Sequence, residues 1–151
     1  MKVIEGDLLK LAQDGEFDVI IHGCNCQCQM GKGIALTIKN QYPEVYRADC
    51  LTEKGSKDKL GTYSSAKVSS HKSTFTIINA YTQFHWRGTG IKADYEAIRS
   101  VMKKLKKDFQ GKRFGYPLIG AGLAGGDWTI ISEIIDQELT GEDHTLVKYK
   151  P

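Results

Sequence analysis

The chain alternates short apolar runs with amphipathic segments, and the spacing within each predicts an element. Val3-Ile4-Glu5 reads as a short first strand and Leu8 to Ala12 as a short amphipathic helix. Asp18-Val19-Ile20-Ile21-His22 is a compact apolar run of the kind carried by strands buried on both faces. Gly31 to Gln41 predicts a helix with Ile34, Ala35 and Ile38 at helical spacing; Tyr42-Pro43 breaks it, and Glu44 to Lys54 predicts another. Gly61 to Val68 and Thr74 to Tyr81 read as strands from their β-branched and aromatic content. The longest helix is predicted over Lys92 to Phe109. There Ala93, Ala97, Val101 and Leu105 form a stripe, Ile98 and Met102 lie beside it, and Gly111 closes the segment. Phe114 to Ile119 predicts a further buried strand, Thr129 to Leu139 a helix, and Thr145 to Tyr149 a closing strand. No linker, repeat or low-complexity segment interrupts this alternation. The pattern therefore predicts one α/β domain over residues 1–151, in three α/β/α layers with helices covering a central mixed sheet.

Composition narrows the classes of function. A chain of 151 residues, 40% hydrophobic and 26% charged, can bury a core without disulfide or metal staples. No run approaches the ~20 apolar residues of a membrane span, so no membrane partner is expected. Met1 to Glu5 carries no secretory apolar region, and a cytoplasmic, monomeric protein is expected. The net charge of +3 is mild for a protein that grips nucleic acid non-specifically. The dense basic run, Lys103-Lys104-Leu105-Lys106-Lys107 with Arg99 upstream, reads as the solvated face of the long helix.

The cysteines invite a metal reading and then argue against it. Cys24, Cys26 and Cys28 alternate, and His22 precedes them, so an extended segment would point them to one side. Structural zinc sites use C-x-x-C knuckles or a cysteine pair with a histidine pair, and C-x-C-x-C is neither. Only Cys50 remains to complete a set. Reduced thiols are expected, with no metal and no cofactor.

Two glycine-rich segments carry the chemistry, and each follows a predicted buried strand and runs into a helix. The first is His22-Gly23-Cys24-Asn25-Cys26-Gln27-Cys28-Gln29-Met30-Gly31-Lys32-Gly33-Ile34-Ala35. The second is Ile119-Gly120-Ala121-Gly122-Leu123-Ala124-Gly125-Gly126-Asp127-Trp128. Ligands of open α/β sheets bind beyond the carboxyl ends of the strands. Glycines there let the backbone approach a phosphate, and a following helix N-terminus offers free N–H donors. Two such loops suit a diphosphate better than a single phosphate. The G-x-x-x-x-G-K-[ST] loop is absent, and Gly120, Gly122 and Gly125 match G-x-G-x-x-G with no room for a following βαβ unit.

Gly6-Asp7-Leu8, Asn25 with Met30-Gly31-Lys32-Gly33-Ile34-Ala35, Tyr42-Pro43, Gly61, and Gly120-Ala121-Gly122-Leu123 before Asp127-Trp128 together resemble the macro domain family. The likeness covers nearly the whole chain. It is nearest to the branch of terminal ADP-ribose protein glycohydrolases, DNA ADP-ribosyl antitoxins and the fungal ADP-ribose-1″-phosphate phosphatase. His22-Gly23-Cys24-Asn25-Cys26 is particularly similar to the last. The resemblance implies that ADP-ribose or a derivative is the ligand, and that nucleic acid enters only as an ADP-ribosylated substrate. It implies that Asp7, with the Leu8 backbone, reads adenine, and that Asn25 holds the distal ribose. It places Met30, Gly31, Lys32, Gly33, Ile34 and Ala35 around that ribose and the diphosphate, with Thr82 and Gln83 beside them. Ile119, Gly120, Ala121, Gly122, Leu123, Ala124 and Gly125 would clamp the diphosphate.

The chain departs from the glycohydrolases of that branch. They place a lysine just after the strand that here ends near Tyr81, and the protein-acting ones add an aspartate in the second glycine loop. Here no lysine lies between Lys72 and Lys92, and Ala124 stands at the aspartate position. The candidate catalytic residues are then His22, as general acid/base near neutral pH, Asn25, and Asp127 as a substitute carboxylate. His85 is a second imidazole candidate; His71, His144 and Trp128 read as structural, and Tyr149 as an ordinary strand tyrosine, with packing near adenine as its alternative. The expected activity is hydrolysis of an ADP-ribose derivative, with ADP-ribose-1″-phosphate phosphatase favoured. The alternatives are removal of ADP-ribose from protein or nucleic acid, and binding without turnover.

Overall fold

The computed structural model describes residues 1–87 and 90–151. One six-stranded sheet runs through it in the order β1-β6-β5-β2-β4-β3. Its strands are β1 (Lys2–Gly6), β2 (Val19–Cys24), β3 (Tyr63–Ser69), β4 (Thr74–Tyr81), β5 (Arg113–Tyr116) and β6 (Asp143–Tyr149). All neighbouring pairs are parallel except β3 with β4, so five strands end on the same edge of the sheet.

Alternation along the strands builds two cores. Val19 and Ile21 of β2 face one side with Ile78, Phe114 and Leu146. That side is covered by α4 (Tyr95–Asp108) and α5 (Trp128–Glu138), whose buried stripes are Ala97, Ile98, Val101, Met102 and Leu105, and Ile131, Ile134 and Ile135. Ile20, Phe75, Ile77 and Val147 face the other side, against α1 (Leu8–Gln13), α2 (Gly33–Gln41) and α3 (Pro43–Cys50). The mixed sheet between two helical layers is the arrangement expected. Among the described residues, no helix is long and apolar enough to cross a membrane.

Several boundaries differ from the periodicity, each for a local reason. The strand predicted to reach Ile119 stops at Tyr116, because Pro117 has no N–H to continue a ladder. The helix predicted from Lys92 starts at Tyr95: Asp94 caps it, its carboxylate accepting from the Ala97 N–H at 3.0 Å. Ala93 is instead bridged to Gln83 on a neighbouring segment. α2 begins at Gly33 rather than Gly31, and α3 spans Pro43–Cys50 rather than residues 44–54. A short 3₁₀ turn, Lys57–Lys59, has no periodic signal and was not predicted. Gly111, at φ +79°, follows α4 as a left-handed closing glycine.

Candidate functional site

The carboxyl ends of β6, β5, β2 and β4 lie side by side, and a cleft of about 910 Å³ opens along them. Three strand spacings of ~4.8 Å make it about 14 Å long between β6 and β4. The two glycine loops leave the adjacent strands β2 and β5, so they meet at its centre.

The first loop is held open from within. Asn25 Oδ1 accepts from the Gln27 N–H at 2.9 Å, and Asn25 Nδ2 donates to the Gln29 carbonyl at 3.0 Å. The Cys26 N–H donates to Phe84 O, while Cys26 O accepts from the Gly55 N–H at 2.7 Å and from the buried Lys59 ammonium at 3.2 Å. Met30 is driven into the core. This anchoring leaves Gly31, Lys32, Gly33, Ile34 and Ala35 along the cleft. Gly33 sits at φ +58°, and a Cβ there would meet nothing within 4 Å. The Gly33, Ile34 and Ala35 N–H groups reach no acceptor among the described residues, as expected of a first helical turn.

The second loop is a tight glycine fold. The Gly126 N–H donates to Gly120 O at 2.7 Å, and Gly120 and Gly125 adopt φ of +73° and +70°. A Cβ on Gly126 would stand 2.6 Å from Gly120 O. Ala124 O is fixed by the Lys92 and Ala93 N–H groups. Among the described residues, the Gly122, Leu123 and Ala124 N–H groups reach no acceptor. Gly23 allows the two loops to approach: a Cβ there would stand 2.8 Å from Thr82 Oγ1 and 3.3 Å from Ile119 Cγ2. The centre of the cleft thus offers two sets of outward N–H donors suited to phosphate oxygens.

Of the residues anticipated from sequence, Asn25, Gly31, Lys32, Gly33, Ile34, Ala35, Thr82, Gln83, Ile119, Gly120, Gly122, Leu123 and Ala124 line the cleft. Ala121 and Gly125 shape the second loop without lining it, and Leu8 and Met30 are core residues. Asp7 caps α1, one oxygen accepting from the Leu9 and Lys10 N–H groups. It lies just beyond the Gly6–Tyr149 register pair, beside the β6 end of the cleft.

Two candidate catalytic groups lie elsewhere. His22 shares the face of Ile20, beneath α3, and is 1% exposed. Its Nε2 and Asn79 Oδ1 are 2.6 Å apart, and Asn79 Nδ2 donates to Val45 O of α3. Burial pushes the imidazole pKa down to about 4, so the ring is neutral at ordinary pH. The placement corrects the expectation of a cleft acid/base: the residue does not reach the cleft wall. Asp127 likewise does not line the cleft; its carboxylate caps α5, accepting from the Thr129 N–H at 2.9 Å.

Cys24 and Cys26 share one buried cluster with Tyr81, and Cys24 Sγ lies 3.5 Å from His22 Nε2. Cys24 lines the cleft, and burial pushes its thiol pKa well up, with the Asp49 carboxylate adding to the effect. Cys28 Sγ donates to Asp49 O at 3.4 Å. Among the described residues, no three His, Cys, Asp or Glu side chains are grouped to hold a metal.

Sequence reasoning missed Gly23, Cys24, Gln29, Trp86, Pro117, Leu118, Val147 and Lys148 as cleft residues, and ranked packing of Tyr149 near adenine below an ordinary strand role. A signal did exist for Tyr149. It is a large aromatic residue, 75% exposed, at the end of β6 beside Asp7.

The macro domain family model matches residues 21–135, which includes both glycine loops. The chain belongs to the macro domain family. An uncharacterized 17.5 kDa protein of Enterobacteria phage T4 is 33% identical over 156 residues, covering all of this chain and 97% of that protein. The DNA ADP-ribosyl glycohydrolase of Mycobacterium tuberculosis is 27% identical over 128 residues. This macro domain covers only 35% of that protein, and 85% of its own length is matched. An ADP-ribose 1″-phosphate phosphatase of Aspergillus clavatus is 53% identical over 49 residues, 30% of this chain and 23% of that one. The fold matches DarTG of Thermosipho africanus, solved in complex with ADP-ribose, with a TM-score of 0.75 at 20% identity. The match covers 97% of this chain and 40% of that one. Family membership makes an ADP-ribose-binding or ADP-ribose-hydrolysing role the coarse assignment.

Proposed function

We propose that this macro domain binds ADP-ribose across the cleft and hydrolyses ADP-ribose 1″-phosphate to ADP-ribose and inorganic phosphate. In the bound ligand the diphosphate lies between the two glycine loops. Adenine lies toward Tyr149 and Asp7, and the distal ribose toward Asn25, Thr82 and Gln83.

One observation carries the phosphatase reading. Among the described residues the cleft wall presents amides, two hydroxyls, backbone N–H groups and two lysines, but no carboxylate. Glycoside hydrolysis ordinarily relies on carboxylates or an activated nucleophile at the anomeric carbon. Phosphoryl transfer relies on positioning and on donors that stabilise charge at the transferring group. In the proposed step water attacks phosphorus and the bond from phosphorus to the anomeric oxygen breaks. The departing oxygen is a hemiacetal oxygen, a better leaving group than a simple alkoxide. Asn25, Thr82 and Gln83 hold the ribose and order the attacking water. The local likeness to the fungal phosphatase points the same way.

A second reading is removal of ADP-ribose from DNA, favoured by the longer match to the mycobacterial glycohydrolase. It would have to use one of the wall's lysines, Lys32 or Lys148, at the anomeric carbon, since the segment just after β4 carries no lysine. The deciding experiment is a turnover panel of ADP-ribose 1″-phosphate, O-acetyl-ADP-ribose, and ADP-ribosylated protein and DNA. Phosphate release from the first alone supports the proposal. Release of ADP-ribose from DNA supports the second reading, and binding of ADP-ribose with no turnover would make the domain a reader.

A further inference from the structure

The cleft's β4 end carries a rim that ADP-ribose itself does not need. The His85 and Trp86 rings stack with centroids 4.1 Å apart and planes within 17°. The Arg87 backbone N–H donates to His85 Nδ1 at 2.9 Å, which holds the turn closed. The Arg87 guanidinium lies over the Trp86 ring, 5.3 Å from its centroid. Trp86 lines the cleft and is 38% exposed, so the cation stands at its mouth. Nearby, the Lys57 ammonium lies 5.3 Å from the centroid of the Phe84 ring. Two aromatic residues of one loop therefore each carry a cation.

Arg87 makes no ion pair among the described residues. Resting on an aromatic face limits a guanidinium's conformational freedom and leaves its edge N–H groups available. A planar fork of that kind matches a phosphate monoester, which it can bind through two N–H groups. The glycine loops already supply donors for the diphosphate at the centre of the cleft. The extra positive charge stands at the opposite end from Tyr149, where the distal ribose and its substituent would project.

We propose that Arg87, held over Trp86, is the specificity residue that reads an anionic substituent, a terminal phosphate, on the distal ribose. This rests on the orientation of ADP-ribose given above. It deepens that reading by assigning the substituent's charge to one side chain.

The test separates binding from turnover by using a non-hydrolysable 1″-phosphonate analogue of ADP-ribose beside ADP-ribose. Calorimetry should give the wild-type protein about tenfold tighter binding of the phosphonate, on the scale of a charge-assisted contact at a partly exposed site. Arg87→Met should bring that ratio to near one and leave ADP-ribose affinity within about twofold, because the glycine loops are untouched. Arg87→Lys should keep part of the ratio, having charge without the fork. A wild-type ratio of one, or an Arg87→Met protein with the ratio intact, overturns the proposal. So does a parallel loss of ADP-ribose affinity. A single-stranded oligonucleotide that competes with the phosphonate in the wild type but not in Arg87→Met also overturns it, since the cation would then read a phosphodiester backbone. If the ratio behaves as expected while the turnover panel is negative, the phosphatase reading fails and the rim's role stands. Phosphate release with an unchanged ratio means the reverse.

Discussion

Gly33 is the most informative place to perturb the cleft. It lies at φ +58°, lines the cleft, and has open space where a Cβ would be. Any side chain there incurs the cost of a left-handed residue, about 1–2 kcal/mol, and meets no steric clash with the protein. For a domain of this size that is a fall in Tm of several degrees, with folding preserved. Gly33→Glu adds a carboxylate facing the ligand. At ~5 Å from a diphosphate of two charges, the repulsion is about 1.7 kcal/mol in bulk water and about 6.6 kcal/mol at an effective dielectric of 20. Affinity for ADP-ribose should therefore fall by more than tenfold from charge alone. Gly33→Gln carries the same bulk and backbone strain without the charge, so the Glu-to-Gln difference isolates the electrostatic part. Calorimetric titration with ADP-ribose, at low and at high salt, measures it. The difference should be large at low salt and shrink at high salt. Equal affinity of the two variants, or wild-type affinity in either, would show that no phosphate lies against this loop.

Three further outcomes follow from the geometry. His22 is neutral in the folded state with its pKa pushed down to about 4, whereas the unfolded chain takes up that proton near 6.5. The unfolded state then binds more protons between those values, so stability falls as pH drops from about 6.5 to about 4, by about 3 kcal/mol. His144 is depressed in the same direction, by burial first, and His22→Gln should remove part of the slope in urea melts across that window. Asp127→Ala should cost about 1 kcal/mol through loss of the α5 cap, with ADP-ribose affinity and turnover unchanged; lost turnover at wild-type stability would return it to the chemistry. Gly126→Ala drives a methyl to 2.6 Å from Gly120 O and 2.8 Å from Ile131 Cδ1. It should destabilise by about 1–3 kcal/mol and weaken ADP-ribose binding, measured by thermal melts and calorimetry.

The elements with a strong internal signal were legible in the sequence, and those settled by tertiary contacts were not. Thr74–Tyr81 has the bounds its β-branched run predicts, and both glycine loops line the cleft because glycine marks where backbone must come close. The start of α4 was misplaced because Ala93 continues a helical stripe in sequence, yet its N–H is taken by Ala124 O. His22 was read as a cleft residue because it ends an apolar run beside a glycine loop. A period-two argument carried from Ile20 would have placed it on the α3 face, under the loop rather than in the cleft. Trp86 and Lys148 had no local signal, since only the adjacency of β4 and β6 to the central pair brings them to one wall. The Lys59 contact under Cys26 was invisible for the same reason.

The burial of His22 bears on the chemistry as well as on stability. A general acid/base must reach the reacting group and change protonation near the working pH. The His22 ring does neither: it is covered by α3, tied to Asn79, and depressed to about 4. The Cys24 thiol is turned the same way, 3.5 Å from His22 Nε2 and 3.9 Å from Asn79 Oδ1, and burial holds it protonated. With no carboxylate on the wall among the described residues, side-chain acid/base catalysis has little foothold in the cleft. A substrate suited to such a site brings its own leaving group and its own ionisable oxygens, and asks the protein for position and charge stabilisation. A sugar 1-phosphate meets that description: its leaving oxygen is a hemiacetal, and its phosphate oxygens can take the proton of the attacking water. An N-glycosidic bond to a DNA base has neither an ionisable phosphate at the bond broken nor an oxygen leaving group. The ratio of turnover on ADP-ribose 1″-phosphate to turnover on ADP-ribosylated DNA therefore measures how far a wall without carboxylates, among the described residues, determines the chemistry.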